Sequence, residues 1–151
     1  MRIGPVNLSD VPAMVYMGIN FHEEAELSQF FPLDPDHLAK RLRRMIRSDN
    51  TIILGLWLDG VLEGVAGFTV AESFFSSQFL NAQELFYWIN FDKRGSHGKQ
   101  LLDALETAAR AEGCSHSSMI ALETSQPERM DQIYKSAGYV LMERLYLKAL
   151  N

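Results

Sequence analysis

The sequence is poor in cysteine and has no long apolar run. Its one cysteine cannot form an internal disulfide bond, so a reducing compartment is expected. No apolar stretch approaches the roughly 18 residues that a membrane-spanning helix requires, and the N-terminal residues lack the apolar core of a signal peptide. We therefore expect a cytoplasmic protein that does not enter a membrane.

Excess positive charge and clustered metal ligands are also lacking. The net charge of −5 argues against broad nucleic-acid binding, although a local basic patch is compatible with a negative total. The four histidines include no i, i+4 pair and have no cysteine or histidine ligand set, so no metal site is expected. The chain does have 47% hydrophobic and 22% charged residues over 151 positions, which is typical of one folded domain spanning residues 1–151.

Apolar periodicity predicts strands that alternate with helices. The predicted strands cover residues 2–6, 51–58, 61–71, 85–89, 118–123 and 139–147, and the predicted helices lie near residues 10–21, 34–47, 98–112 and 127–137. Asp59-Gly60 predicts a hairpin turn, whereas residues 73–80 are expected to form a loop. This order predicts an α/β or α+β sheet with helices on both faces.

A strand, a polar loop and a helix follow one another at the centre of the chain. Gly95 and Gly98 lie in the loop after residues 85–89, and glycine lets the backbone approach a ligand closely. The first turn of the helix, predicted at residues 98–102, leaves backbone N–H groups unpaired and carries roughly +0.5 charge. Three cations flank it, namely Lys93, Arg94 and Lys99. The arrangement predicts a pyrophosphate site, and its spacing excludes the P-loop and the Rossmann glycine motif.

The loop resembles the acyl-CoA loop of the Gcn5-related N-acetyltransferases, the GNAT family, which reads [RQ]-x-x-G-x-[GA] before a helix with paired leucines. Counted back from the helix, Gly98 matches the last small residue, Lys93 stands at the leading position, and Ser96 stands where the first glycine belongs. Residues 133–139, IYKSAGY, resemble the family signature Φ-Tyr-x-x-x-Gly-[FY]. The resemblance covers residues 51–147 and implies a mixed, mostly antiparallel sheet of about six to seven strands with helices on both faces.

The resemblance implies an N-acetyltransferase that moves an acetyl group from acetyl-CoA to an amine by direct attack. The amine can belong to a small molecule, a protein N-terminus or a lysine. The implied cofactor-binding residues are Phe91, Lys93, Arg94, Gly95, Ser96, His97, Gly98 and Lys99. The resemblance also implies that the sheet splays apart near residues 89–91 and frees a backbone N–H that would polarise the thioester carbonyl, and Asn90 and Asp92 interrupt the apolar run where this bend is expected.

Three residues are candidates for proton transfer. By its place in the signature, Tyr134 would protonate the departing thiolate, or it simply packs against the sheet. Glu123, at the end of a predicted strand, and Glu84, at the head of the central strand, are the two candidates for the base. Each carboxylate also has an ordinary alternative as a surface or ion-paired group.

Other assignments stay open. A non-catalytic CoA or nucleotide sensor or scaffold is the alternative function, because the loop is irregular and no Asn precedes Tyr134 where the family often has one. Five cations on the second predicted helix form either a solvated face or a binding face for an acidic substrate, RNA or CoA: Lys40, Arg41, Arg43, Arg44 and Arg47. Phe74, Phe75 and Phe79 are either lid residues or core anchors. Many relatives dimerise, so a homodimer is possible.

Overall fold

The computed structural model describes residues 1–150, which form a sheet of five strands flanked by helices. The strands are β1 (Arg2–Pro5), β2 (Thr51–Leu58), β3 (Val61–Ser73), β4 (Ser76–Ile89) and β5 (His116–Ser118). They lie in the order β1-β2-β3-β4-β5; the first four are antiparallel neighbours, and β5 runs parallel to β4. The mixed, mostly antiparallel sheet is confirmed, but within residues 1–150 it has five strands rather than six or seven.

Helices cover both faces of the sheet, as predicted. They are α1 (Val11–Glu24), α2 (Pro35–Ile46), α3 (Ser96–Ala111) and α4 (Pro127–Ser136). Met14 and Leu42 on α1 and α2 share one core cluster with Trp88 of β4, and Leu101 and Leu105 on α3 belong to a second cluster. None of the helices within residues 1–150 is both long and apolar enough to cross a membrane.

Short-range signals place two elements correctly. Asp34 caps α2, because its carboxylate accepts a hydrogen bond from the His37 N–H at 3.0 Å. Asp59 and Gly60 have φ values of 49° and 82°, as a two-residue hairpin turn requires. Before α1, Asp10 occupies the N-cap position but its side chain makes no capping hydrogen bond, and Asn7 caps the preceding 3-10 turn, Leu8–Asp10, by accepting from the Ser9 N–H.

The predicted loop at residues 73–80 is wrong. β3 continues to Ser73 and β4 begins at Ser76, so Phe74 and Phe75 form a tight turn. Their side chains are 94% and 92% exposed, which rules out core anchoring, and Phe79 is 47% exposed. Since this end of the hairpin extends beyond the core, the sequence lacks the apolar alternation that reveals a half-buried strand.

The two strands predicted last are also wrong. β5 is only three residues long, since residues 119–123 have left β4 and have no strand to pair with. Residues 139–150 form neither helix nor strand. Both segments are apolar enough to suit a strand, but a strand exists only where a second chain segment completes its hydrogen bonds.

Candidate active site

A β-bulge sets the geometry of the central strand. Phe68 of β3 pairs with Glu84 and Gly67 pairs with Phe86, so Leu85 is an extra residue in β4. Because strand residues alternate between faces, the extra residue brings Tyr87 to the same α3-covered side as Ala82. Sequence analysis expected the irregularity at Asn90 and Asp92, where polar residues begin; the bulge lies five residues earlier, within the apolar run.

β4 and β5 separate immediately before this bulge. Their last paired residues are Gln83 and Ser118, and beyond them side chains replace the strand hydrogen bonds. The Glu84 carboxylate accepts a hydrogen bond from the Ile120 N–H at 2.6 Å, and the Tyr134 hydroxyl donates one to the Ile120 carbonyl at 3.1 Å. The backbone of Ile120 is therefore held from both sides by candidate catalytic groups.

A cleft of about 280 Å³ occupies the space where the strands diverge. The bulged part of β4 forms its floor, and α4 forms one wall with residues 120–126. Phe21, Glu24, Leu27 and Phe31 form the wall contributed by α1 and the 3-10 turn after it. Gly95 and Gly98 border the cleft at the start of α3, so the predicted anion loop and the two candidate side chains face one space.

The carboxyl group of Glu84 is buried without a cationic partner among residues 1–150. Its side chain is 9% exposed, and burial raises its pKa from 4.5 to about 7, while the hydrogen bond from Ile120 acts in the opposite direction. Near neutral pH the group therefore exchanges a proton readily, as a general base requires.

Tyr134 stays a neutral phenol in this setting. Burial, and after it the charge of Glu84, raise its pKa above the ordinary value, and its side chain is only 7% exposed. Its ring lies 5.7 Å from that of Tyr139. Tyr134 thus packs against the body of the protein and also places its hydroxyl group at the cleft.

The helix behind the loop begins earlier than expected. α3 starts at Ser96 rather than Gly98, and Gly95 precedes it with φ of 88°, a backbone angle that favours glycine. The free N–H groups of the first turn accordingly include those of Ser96 and His97, whereas the Gly98 N–H donates to the Gly95 carbonyl at 3.3 Å. A Cβ atom at Gly98 would lie 3.0 Å from the Tyr87 hydroxyl, so a larger residue there would require that side chain to shift by a few tenths of an ångström.

The three predicted loop cations are all paired with carboxylates. The ammonium groups of Lys93 and Lys99 lie 2.7 Å from Asp92 and Asp103, and these pairs are exposed enough to exchange partners. Arg94 differs. Its guanidinium group makes two hydrogen bonds to Glu24, at 2.8 and 2.9 Å, so it is directed toward the α1 wall rather than toward the first turn of α3.

Comparisons with known proteins support the fold. No protein-family model and no curated protein matches the sequence. A ribosomal-protein-alanine N-acetyltransferase from Brucella melitensis biovar Abortus 2308 has a TM-score of 0.76 and 18% identity over 99% of this chain and 100% of that chain. A predicted acetyltransferase with acetyl-CoA from Clostridium acetobutylicum has a TM-score of 0.77 and 13% identity over 97% of this chain and 95% of that chain.

A third structure, an aminoglycoside acetyltransferase from an uncultured soil metagenomic sample, has a TM-score of 0.73 and 17% identity over 99% of this chain and 95% of that chain. The chain has the GNAT fold. The fold implied by the two sequence motifs is thereby confirmed. The separated strands β4 and β5, and the helix α3 that follows Gly95, are parts of this GNAT fold.

Within this GNAT fold, Glu123 lies apart from the other candidates. It is exposed in a turn, because the strand that would have ended at this residue is absent. The cleft is bordered by Leu122 and Ser125 but not by Glu123. The structure therefore brings Glu84 and Tyr134 together at Ile120 and leaves Glu123 outside.

Two residues of the GNAT-fold cleft escaped the sequence analysis. Glu24 lies in a stretch without a clear apolar period. Its place in the cleft becomes apparent only from its ion pair with Arg94, a residue far from it in sequence. Tyr87 belongs to the apolar strand run, and the bulge that places it beside Gly98 has no sequence signal. His97 contacts Gln100 at 3.1 Å, and Phe91 is 71% exposed beside Arg94. Among the described residues, no group of three His, Cys, Asp or Glu could hold a metal ion.

Proposed function

We propose that the protein is an N-acetyltransferase that transfers the acetyl group of acetyl-CoA to an amine by direct attack. The observation that carries this proposal is the opening between β4 and β5, where Glu84 accepts from the backbone N–H of Ile120 and Tyr134 donates to the backbone carbonyl of the same residue, at the border of one cleft. The GNAT fold supports it, and so do the neighbours with that fold, which are acetyltransferases.

The start of α3 fits the pyrophosphate of coenzyme A. Around Gly95 the space is open, since a Cβ atom there would meet nothing within 4 Å. Backbone N–H groups of Ser96 and His97 supply donors, and the helix dipole favours an anion. Lys93 and Lys99 can turn from their exposed carboxylate partners toward the phosphates. Arg94 would instead hold the α1 wall in place, and exposed Phe91 would border the ligand beside it.

Glu84 serves as the base in this proposal. When bound, acetyl-CoA supplies the acetyl group as a reactive thioester, but the amine attacks only after losing a proton. The pKa of Glu84 near 7 lets its carboxylate accept that proton at neutral pH. Glu123 is the weaker candidate because it is exposed in a turn away from the cleft.

Tyr134 serves as the hydrogen-bond donor to the departing sulfur once its O–H has turned from the Ile120 carbonyl. Its raised pKa keeps the phenol protonated, and the charge of Glu84 contributes to that shift. When Glu84 takes up the proton of the amine, this contribution disappears and Tyr134 becomes a stronger acid. The two groups are thus coupled in the direction that the reaction needs.

Calorimetric titration with acetyl-CoA tests the binding part of the proposal. Ser96→Glu places a carboxylate at the exposed first turn of α3, where it suits the helix but repels a pyrophosphate. Thr107→Glu adds the same charge to an exposed position on the same helix, three turns away. We expect micromolar binding that falls about tenfold or more in Ser96→Glu and stays unchanged in Thr107→Glu. Undetectable binding at about 1 mM would contradict the proposal.

The alternative is a GNAT-fold protein that binds CoA and catalyses nothing. The orientation of Arg94 favours it, because the predicted cation does not face the first turn of α3. Tyr134→Phe separates the two functions. An enzyme loses turnover while its affinity for acetyl-CoA is kept, whereas a sensor binds acetyl-CoA equally well before and after the change and never releases thiol.

A further inference from the structure

The α1 side of the cleft is lined mainly by apolar and aromatic side chains. Phe21, Leu27 and Phe31 border the cleft from α1 and the 3-10 turn after it, and Phe86 and Trp88 of β4 form the adjoining floor. The ring of Phe21 lies 5.3 Å from that of Trp88, and Phe31 is 49% exposed. These rings provide a surface on which an apolar ligand can be buried.

Two contacts hold this aromatic wall in place. His22 donates from Nε2 to the Phe31 carbonyl at 3.0 Å, because a carbonyl oxygen can only accept. The carboxylate of Glu24 accepts two hydrogen bonds from Arg94. A wall that is fixed in this way loses little conformational entropy when a ligand packs against it.

The cofactor and the acceptor amine reach the opening from different sides. Gly95 and Gly98 border the cleft at the start of α3, and α3 packs on the face of the sheet opposite to α1. With the pyrophosphate of acetyl-CoA at the start of α3, the α1 side is left for the amine. This step rests on the proposed acetyl transfer.

The charged groups of the cleft do not favour a polycation. Within residues 1–150, four charged side chains border the cleft, namely Glu24, Glu84, Arg94 and Arg129. Arg94 neutralises Glu24, whereas Arg129 has no carboxylate within 4.0 Å. Glu84 is only partly ionised near neutral pH, since its pKa is about 7. The cleft therefore has no net negative charge that would attract a second ammonium group.

The volume of the cleft also limits the acceptor. The cleft measures about 280 Å³, just below the roughly 300 to 1,000 Å³ of most ligand pockets. Part of this space must hold the thioester end of the cofactor. The remainder suits a compact amine.

We propose that the acceptor is a small monoamine with an apolar body about the size of one aromatic ring, and that the Arg94–Glu24 pair excludes polyamines by occupying the carboxylate that would bind their second ammonium group. In the transfer, the amine nitrogen bonds to the acetyl carbon as the C–S bond breaks, and the proton that the amine loses balances the proton that the thiolate gains. An aminoglycoside carries several ammonium groups, so the acceptor of this chain differs from the substrate class of that structural neighbour.

A comparison of phenethylamine, ethylamine and putrescine tests the acceptor class. Thiol release from acetyl-CoA gives kcat/KM for each amine, and calorimetric titration of the CoA-bound protein gives each affinity without turnover. We expect phenethylamine to exceed ethylamine about 30-fold or more in both measurements, because its ring is buried on the aromatic wall. Putrescine should be no better than ethylamine. Phe31→Ala should lower the preference for phenethylamine about fivefold or more.

Arg94→Met tests the ion pair, because it frees the Glu24 carboxylate and keeps an apolar side chain beside Trp88. We expect the ratio of kcat/KM for putrescine to that for ethylamine to rise about tenfold or more. Arg110→Met is the matched control, since Arg110 also pairs with a carboxylate, that of Glu106, but does not border the cleft. The control should leave the ratio unchanged. An unchanged ratio in Arg94→Met would overturn the role of the pair.

The outcomes separate this inference from the acetyl transfer itself. Turnover of these amines without a preference for phenethylamine, or with putrescine preferred, overturns the inference and leaves the acetyl transfer standing. Preferential binding of phenethylamine without thiol release supports the selectivity of the cleft and contradicts the transfer. If the CoA-bound protein neither binds nor acetylates any of the three amines, both are overturned.

Discussion

At the scale of the residue, Glu84 links the fold to the chemistry. The bulge at Leu85 ends the regular pairing of β4, and the carboxylate of Glu84 takes over by accepting the Ile120 N–H. Burial disfavours the ionised carboxylate, and the hydrogen bond from Ile120 offsets this only in part, which is why the pKa of Glu84 is about 7. A carboxylate whose charged form is disfavoured by burial is well suited to accept a proton.

The first prediction concerns stability. The pKa of Glu84 is raised from 4.5 to about 7 on folding, so the folded state binds this proton more tightly between those values. Stability present below pH 4.5 is therefore lost as the pH rises to 7, by about 3 kcal/mol at roughly 1.4 kcal/mol per pKa unit. Glu84→Gln removes the ionisation but can still accept the Ile120 N–H through its amide oxygen.

Urea unfolding at pH 5 and pH 8 measures this effect. The stability of Glu84→Gln relative to the unchanged protein should increase by about 2 to 3 kcal/mol between pH 5 and pH 8. Glu123→Gln, at an exposed position, is the control and should change neither value. Equal pH dependence in the unchanged protein and Glu84→Gln would show that the carboxyl group ionises normally.

A motif or a strand end marked two of the candidate residues that the structure places at the cleft, and their catalytic roles stay predictions. Tyr134 follows from the signature near the C-terminus and Glu84 from the head of the central strand, and both border the cleft. Tyr87 could not be found, because a bulge inside an apolar run changes which side chains share a face without changing the composition. The interpretation of Glu123 depended on a strand whose partner had already diverged.

At the scale of the element, the pair between Arg94 and Glu24 joins the end of α1 to the connection between β4 and α3. Arg94 also donates to the Ile89 carbonyl at 3.0 Å and lies 4.6 Å from the Trp88 ring. Its side chain is 20% exposed and that of Glu24 is 28% exposed, so water screens this pair less than the surface pairs. The pair fixes one wall of the cleft against the other.

The second prediction uses this contrast in exposure. Arg94→Ala should lower the free energy of unfolding by about 2 kcal/mol, because it leaves Glu24 half-buried without its partner and removes the stacking on Trp88. Lys93→Ala breaks an exposed pair and should cost less than about 0.5 kcal/mol. Denaturant unfolding measures both variants. If Arg94 stabilises no more than Lys93, the wall is not held by this pair.

The same two variants report on the cofactor loop. Because Arg94 faces α1, Arg94→Ala should weaken acetyl-CoA binding less than Ser96→Glu does. A larger loss in Arg94→Ala would mean that this side chain turns to the phosphates when the ligand binds.

Element-level predictions succeeded where the signal was local. The Asp34 cap and the Asp59-Gly60 turn depend on neighbouring residues, so the sequence alone specifies α2 and the β2–β3 hairpin. The β3–β4 turn at Phe74 and Phe75 and the short β5 depend on which segments pair over long distances. Local apolar pattern carries no information on that pairing, so these elements were misplaced.

At the scale of the whole molecule, the two faces of the sheet are covered by different helices, which contribute different parts of the cleft. α3 packs on one face and presents its first turn to the cleft, while α1 packs on the other and supplies the facing wall. The cations of α2 at positions 40, 41, 43, 44 and 47 are exposed, and no carboxylate among residues 1–150 lies within 4.0 Å of them. None of these five side chains borders the cleft, which fits a solvated helix face.

The measurement that tests the account most directly is thiol release from acetyl-CoA with a panel of amines. Three proteins are compared: the unchanged chain, Glu84→Gln and Glu123→Gln. We expect at least one amine to be acetylated, with a rate that rises with pH through about 7 as Glu84 loses its proton. The rate should fall about 100-fold or more in Glu84→Gln and stay unchanged in Glu123→Gln. Turnover that survives in Glu84→Gln and disappears in Glu123→Gln would contradict the account, because the base would then lie outside the opening between β4 and β5.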